Sequence, residues 1–326
     1  MNARQLSNAI LLAGVFSAGW ALPQASDAAE WTPQRPVRLI VGFPPGGATD
    51  LVARIIQPKL TEVLGKQVIV DNRPGANGTI SLDIEARAEP DGQTVAFGHI
   101  GGLVISPAIQ KLPYDPVKSF TPLGLMVSLQ NIIITHPGMP AKSVTEFIAM
   151  AKAKPGALNY ASSGVGSPGN LAGALLESMA GIQMNHIPYK GGGPAITDLL
   201  AGHVPSFFAV ISTAVPHVQS GRARGIAVTG ENRSGALPNV PTVGETVKGY
   251  VALNWYGLIG PADMPKPIVD RLSKALMAAL SDPNVVKQLD ARGIDSTPTS
   301  PQDYAKYIQS ETRKWVPIIK RSIVKN

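Results

Sequence analysis

From residue 37 onward the apolar positions follow two alternating rhythms. Short β-branched runs such as Val37-Arg38-Leu39-Ile40-Val41 read as strands, and longer stretches with apolar residues every third or fourth position read as helices. The predicted order begins with strand Val37–Val41, helix 51–64, strand 68–71, helix 80–88 and strand 94–98. After Asp115-Pro116 it continues with strands 120–127 and 131–135, helix 144–152, strand 158–161 and helix 170–180. Leu171, Ala174, Leu175 and Met179 share one face of that last helix. Strands 186–189, 204–210, 223–228 and 255–260 follow, then helices over Lys266–Leu280 and Pro301–Ser322, with a helical piece at 284–289. Strands alternating with helices predict an α/β fold with mostly parallel sheet and helices on both faces.

Two glycine-rich turns each end a strand and start a helix. One is Phe43-Pro44-Pro45-Gly46-Gly47-Ala48-Thr49-Asp50, the other Ser162-Ser163-Gly164-Val165-Gly166-Ser167-Pro168-Gly169. A helix start gathers unpaired N–H groups and the positive end of the helix dipole, so each turn is suited to an anion. Hydroxyls from Thr49, Ser162, Ser163 and Ser167 are placed to complete such a shell. Asp50 is better read as a support for its helix start, because its own charge repels an anion. A third glycine run, 191–193, precedes Pro194 in a first helical turn, where proline is favoured.

Composition narrows the setting. A length of 326 residues suits two domains or one large α/β domain. Arg4, the apolar stretch 9–22 and the small residues Ser26-Asp27-Ala28 read as an export signal cut after Ala28; the alternative is an ordinary N-terminal helix. Export points to a bacterial periplasm. The chain has no cysteine, which removes disulfides, thiolate catalysis and iron–sulfur clusters. The net charge of +7 is spread along the chain without a basic block, which suits small anions and not nucleic acid.

Catalytic constellations are weak. Gly164, Gly166 and Gly169 fit G-x-G-x-x-G, but the acidic residue expected about 20 positions on is missing. Neither serine-bearing segment of that loop is a G-x-S-x-G elbow. A serine hydrolase using a histidine base stays open as the alternative, with His99, His136, His186, His203 and His217 available. No metal-ligand pair or nucleotide P-loop is present, and no cofactor is expected.

At these residues the chain resembles the Bug family, the solute-binding proteins of tripartite tricarboxylate transporters. The resemblance runs through Arg35-Pro36-Val37 and the first glycine loop, Asp71-Asn72-Arg73-Pro74-Gly75-Ala76 and Leu112-Pro113-Tyr114-Asp115-Pro116. It continues through Tyr160-Ala161 and the second loop, Pro188-Tyr189-Lys190-Gly191-Gly192-Gly193-Pro194-Ala195, Leu237-Pro238-Asn239-Val240-Pro241-Thr242-Val243 and Trp255-Tyr256-Gly257-Leu258. It implies a two-domain Venus-flytrap fold, with residues 29–130 plus 255–326 in one domain, 131–254 in the other, and crossings near 129–133 and 252–256.

It further implies a carboxylate held in the interdomain cleft, partly through ordered water. The implied ligand-binding residues are Phe43, Pro45, Gly46, Gly47, Ala48, Asp50, His99, Ser162, Ser163, Gly164, Gly166, Ser167, Asn170, Lys190, Gly191 and Ala209. Asn170 stands where many members carry histidine, and Ala209 where many carry an acid. The missing acid argues against a ligand with an ammonium group. Phe207, Phe208, Trp255 and Tyr256 are open to two readings, core or an aromatic wall that suits a flat carboxylate. The implied protein is a monomer that hands its ligand to integral-membrane permease subunits.

Overall fold

Val37, Leu39 and Val41 enter one apolar cluster and Ile40 enters another on the opposite side of the first strand. A strand buried on both faces requires this period of two. The computed structural model describes residues 31–322, and the expected signal peptide, residues 1–28, lies outside them.

In chain order the elements begin with β1 (Val37–Val41), α1 (Ala48–Leu64), β2 (Val68–Asn72), α2 (Thr79–Ala86), β3 (Thr94–His99), α3 (Ser106–Ile109) and β4 (Phe120–Thr135). Next come α4 (Val144–Ala153), β5 (Asn159–Ser162), α5 (Pro168–Ala180), β6 (Asn185–Pro188), α6 (Gly192–Leu200), β7 (Ser206–Val210), α7 (Ile211–Gln219) and β8 (Arg224–Val228). The chain continues with α8 (Val243–Thr246), β9 (Leu253–Pro261), α9 (Lys266–Leu280), α10 (Pro283–Asp290), β10 (Ile294–Ser296) and α11 (Pro301–Ser322).

The sheet runs β2-β1-β3-β9-β4-β7-β5-β6, with β10 beside the middle of β4 and β8 beside its end. The β1–β2, β1–β3, β5–β6 and β5–β7 pairs are parallel, and those made by β4 and β9 are antiparallel.

The sequence pattern predicts two strands where the structure has one, β4, of 16 residues. Ser128 and Gln130 break the apolar run, but the backbone continues and only its partners change. Gln130 and the residues before it pair with β9, while Asn131 and those after it pair with β7 and β8. The backbone is bridged at the changeover: Thr229 Oγ1 accepts from Asn131 N–H at 2.8 Å and donates to Ala252 C=O at 2.6 Å. The helix α7 has no counterpart in the predicted order. Ile211, Ala214 and Val215 give it an apolar face, yet Pro216 interrupts the pattern.

This topology fixes where the loops go. Register pairs His99 with Tyr256 and Tyr256 with Val127, so β3 ends just before the changeover. Asn131 pairs with Val210, so β7 ends just after it. The carboxyl ends of β1–β3 and of β5–β7 therefore approach one another from opposite sides, which is where open α/β sheets bind ligands. On the far side, α11 is fastened by Glu311, whose Oε2 accepts from the indoles of Trp255 at 3.1 Å and Trp315 at 3.0 Å.

Candidate functional site

The first corner begins at Gly42, where a Cβ would lie 2.4 Å from Ser81 Oγ; only glycine lets β1 leave the sheet so close to α2. Pro44, Pro45 and Gly46 are then exposed, and Gly46 takes φ +83°, a conformation open to glycine. Gly47 is the N-cap residue of α1 and supplies no side chain, so the N–H groups of Ala48 and Thr49 have no cap. Thr49 is buried at this helix start, 3% exposed.

Asp50 is buried below this loop. One carboxylate oxygen accepts from Gly46 N–H at 2.9 Å and Arg54 Nε at 2.9 Å, the other from Asn72 Nδ2 at 3.0 Å. Burial pushes the carboxyl up, but Arg54, the Gly46 N–H and Asn72 outweigh it and hold it below the usual carboxylate range. Asp50 thus shapes the loop from beneath, and Gly46 points its N–H inward.

His99 is the second support. It is 2% exposed, and its ring meets Phe43 edge-on at 5.0 Å. Nδ1 accepts from Gly102 N–H at 3.2 Å, so the neutral ring carries its proton on Nε2, facing Gly78. Burial pushes its pKa down to about 4, with a small opposing effect from the Gly78 backbone. The structure therefore buries His99 beneath Phe43 and the first corner.

The second corner is built from uncharged groups. Ser167 caps α5 through Asn170 N–H at 3.3 Å, and Asn170 Oδ1 accepts from Gly166 N–H at 3.0 Å. That bond orients the Asn170 amide, so its NH2 faces Tyr160 OH at 3.2 Å and His186 Nδ1 at 3.3 Å. Nδ1 of His186 is then an acceptor, and the neutral ring carries its proton on Nε2. This N–H donates to Ser162 Oγ at 2.7 Å, and Ser162 donates onward to Gly164 C=O at 2.9 Å. His186 stacks on Tyr160 at 5.0 Å, and burial pushes its pKa down to about 4.

A serine nucleophile needs an unprotonated imidazole nitrogen facing it, and this arrangement presents the reverse. Ser162 is also fully buried. Ser163, the half-buried neighbour, has no hydrogen bond to its hydroxyl, while its C=O accepts from Gly191 N–H at 3.1 Å.

The corners touch. Asn77 Nδ2, in the β2–α2 loop, donates to Gly166 C=O at 2.9 Å. A Cβ on Gly166 would lie 3.2 Å from Ile105 Cγ2. Lys190 is exposed at the β6–α6 turn, with Gly191 at φ +115° beside it. Ala209 is fully buried in the cluster formed with α6 and α7, and Val210, on the opposite strand face, is the half-exposed residue at the end of β7. Phe207, Phe208, Trp255 and Tyr256 are all buried, so the core reading holds and they form no aromatic wall.

Sequence reasoning gave Asn72 and Asn77 no site role and did not place His186 beside a serine. Their roles depend on the parallel register, which sets Tyr160 beside His186. It also passed over Ser212 and Asn131, whose Oγ and Oδ1 are buried without partners at the start of α7 and beside Val210. A concavity of about 440 Å³, lined by His136, Lys154, Asn159 and Pro205, lies at the opposite ends of β5 and β7, away from both corners.

The model of the tripartite tricarboxylate transporter family receptor matches residues 52–323. BugT of Bordetella pertussis (strain Tohama I) is 31% identical over 325 residues, covering 97% of this chain and 98% of BugT. Rpa4515 of R. palustris, solved with adipate, superposes with a TM-score of 0.84 at 31% identity, covering 89% of this chain and 98% of its own. MatC from Rhodopseudomonas palustris, with bound malate, gives a TM-score of 0.82 at 31% identity over 88% of this chain and 99% of its own. The periplasmic binding protein BugD superposes with a TM-score of 0.82 at 33% identity, covering 89% of this chain and 98% of its own, and the chain shares that two-domain fold. The locked Ser162–His186 tautomer and the family pattern point the same way: the chain belongs to the tripartite tricarboxylate transporter receptors, the Bug proteins, and is a solute-binding protein and not an enzyme.

Proposed function

We propose that this protein captures a small aliphatic dicarboxylate between the two corners, in the periplasm and as a monomer, and delivers it to the membrane subunits of a tripartite transporter. The domains of this reading are 29–130 with 255–326, and 131–254, hinged where β4 changes partners. The observation that carries it is the uncapped start of α1, whose neighbouring acid, Asp50, is already engaged by Gly46 N–H, Arg54 and Asn72. Asp50 is fully engaged, so an ammonium group finds no partner there. Burial of the aromatic residues removes the reason to favour an aromatic carboxylate. The start of α7, uncapped and with Ser212 Oγ unpartnered, suits a second carboxylate. The adipate and malate bound by related proteins agree with this class.

The test is a thermal-shift screen of succinate, malate, adipate, benzoate and aspartate. Succinate, malate or adipate, which carry no ammonium group, are expected to raise the melting temperature by mass action, with benzoate and aspartate without effect. A shift given by aspartate alone sinks the reading.

A further inference from the structure

Asn77 occupies an unusual piece of backbone. Gly75, Ala76, Asn77 and Gly78 take φ of +140°, +47°, +53° and +82° in succession. Left-handed backbone at an alanine and then an asparagine costs free energy, and such strain persists where the surrounding structure requires it. What this strained loop delivers is the Asn77 amide, which projects to the other half of the molecule and donates to Gly166 C=O across 89 residues of chain. Its slot is prepared by glycines. A Cβ on Gly101 would come within 3.0 Å of Asn77 Nδ2, and one on Gly166 would press on Ile105 and Ile109. The accepting residue is itself fixed, since Gly166 N–H is held by Asn170 Oδ1.

We infer that Asn77 is a positioning residue for ligand capture: a latch that holds the β2–α2 loop against the β5–α5 loop and so favours the closed spacing of the two corners. Its effect on affinity rests on the carboxylate-capture reading, whereas its effect on closure does not. The latch lowers the cost of closing, so it raises affinity without touching the ligand.

Two substitutions separate a latch from a turn device. Asn77→Gly keeps the left-handed backbone free of strain and removes the amide. Asn77→Asp keeps the size and the tolerance for left-handed backbone but removes the donor and sets two acceptors together. A residue needed only for its turn tolerates both. The chain lacks cysteine, so Glu89→Cys and Ser178→Cys, exposed and in opposite halves, give a clean spin-label pair.

In ligand-free protein, both Asn77 variants are expected to broaden and displace the label distance distribution. Succinate, malate or adipate, whichever binds, is expected to bind about five-fold more weakly to Asn77→Gly, the factor one neutral hydrogen bond is worth. Asn77→Asp is expected to lose ten-fold or more. Unchanged distances in both variants, with melting temperatures near that of the parent, overturn the latch. Displaced distances in a protein that binds no carboxylate uphold the latch and sink the carboxylate reading.

Discussion

The two corners have the same plan, strand then glycine loop then helix, and differ in how they are held. The 43–50 corner rests on a buried charge: Asp50 pulls Gly46 N–H inward and is balanced by Arg54 and Asn72. The 162–170 corner rests on a neutral network of Ser162, His186, Asn170 and Ser167. Their free groups differ accordingly. The first helix start is uncapped, while Ser167 caps the second and Asn170 takes the Gly166 N–H. Similar local sequence therefore makes one uncapped helix start and one capped, pre-shaped wall. A common feature lies beneath: each corner stands on a histidine with its proton on Nε2, His99 buried and His186 half-buried.

Acid should act on both histidine supports first. Their folded pKa values, about 4, lie below the ordinary 6.5, so each contributes stability that is present above pH 6.5 and lost as pH falls toward 4. For fully buried His99 this is on the order of 3 kcal/mol. The Asp50 charge works lower: its folded pKa lies below 3.8, so its contribution holds above that value and is lost only in stronger acid. Urea melts from pH 7 to pH 4.5 should show the decline, and His99→Gln should remove part of its slope. A flat profile in the parent protein breaks the idea of paired neutral supports.

Glycine substitutions sharpen the contrast. A Cβ at Gly169 would lie 2.1 Å from Phe208 C=O, so Gly169→Ala should cost about 3 kcal/mol through overpacking. At Gly46 nothing lies within 4 Å, and Gly46→Ala should cost only about 1 kcal/mol for its positive φ. Chemical denaturation ranks the two, and the opposite order contradicts the steric account of the second corner.

Asp50→Asn should cost about 1 kcal/mol, because the Arg54 side chain it pairs with is 55% exposed. Ligand affinity should change by less than about three-fold, or under 1 kcal/mol, if Asp50 supports the loop without contacting the ligand. Isothermal titration decides this. The smallest effect on folding is expected at Gly47, where a Cβ meets nothing closer than Pro44 C=O at 3.5 Å. Gly47→Val should leave stability within about 0.5 kcal/mol and still weaken ligand binding, by crowding the uncapped helix start. Equal loss of both would reduce the glycine to a turn device.

Local signals made much of the molecule legible. The β1 and α9 boundaries follow from β-branched runs and helical periodicity, and α1 ends at Gly65 in left-handed backbone, where a glycine stop is expected. Both corners were readable because a strand, a glycine turn and a helix start are consecutive in the chain. The unbroken β4 was not, since two polar residues in a long strand resemble a turn when its change of partners is unseen. Ala209 illustrates the same limit. A motif position identifies which residue stands there, but the strand's period of two and its register decided that its side chain enters the core.

The sequence by itself determined the α/β plan, the two helix starts and the family, because each is written in contiguous residues. Only the tertiary structure decided how these parts act together. It assigned Asp50 and His99 to support, fixed the His186 tautomer through Asn170, turned the aromatic residues inward and brought Asn77 to Gly166. Each of these depends on which groups meet across register and fold, and on the loss of water that leaves a buried proton or charge dependent on the protein partners it finds.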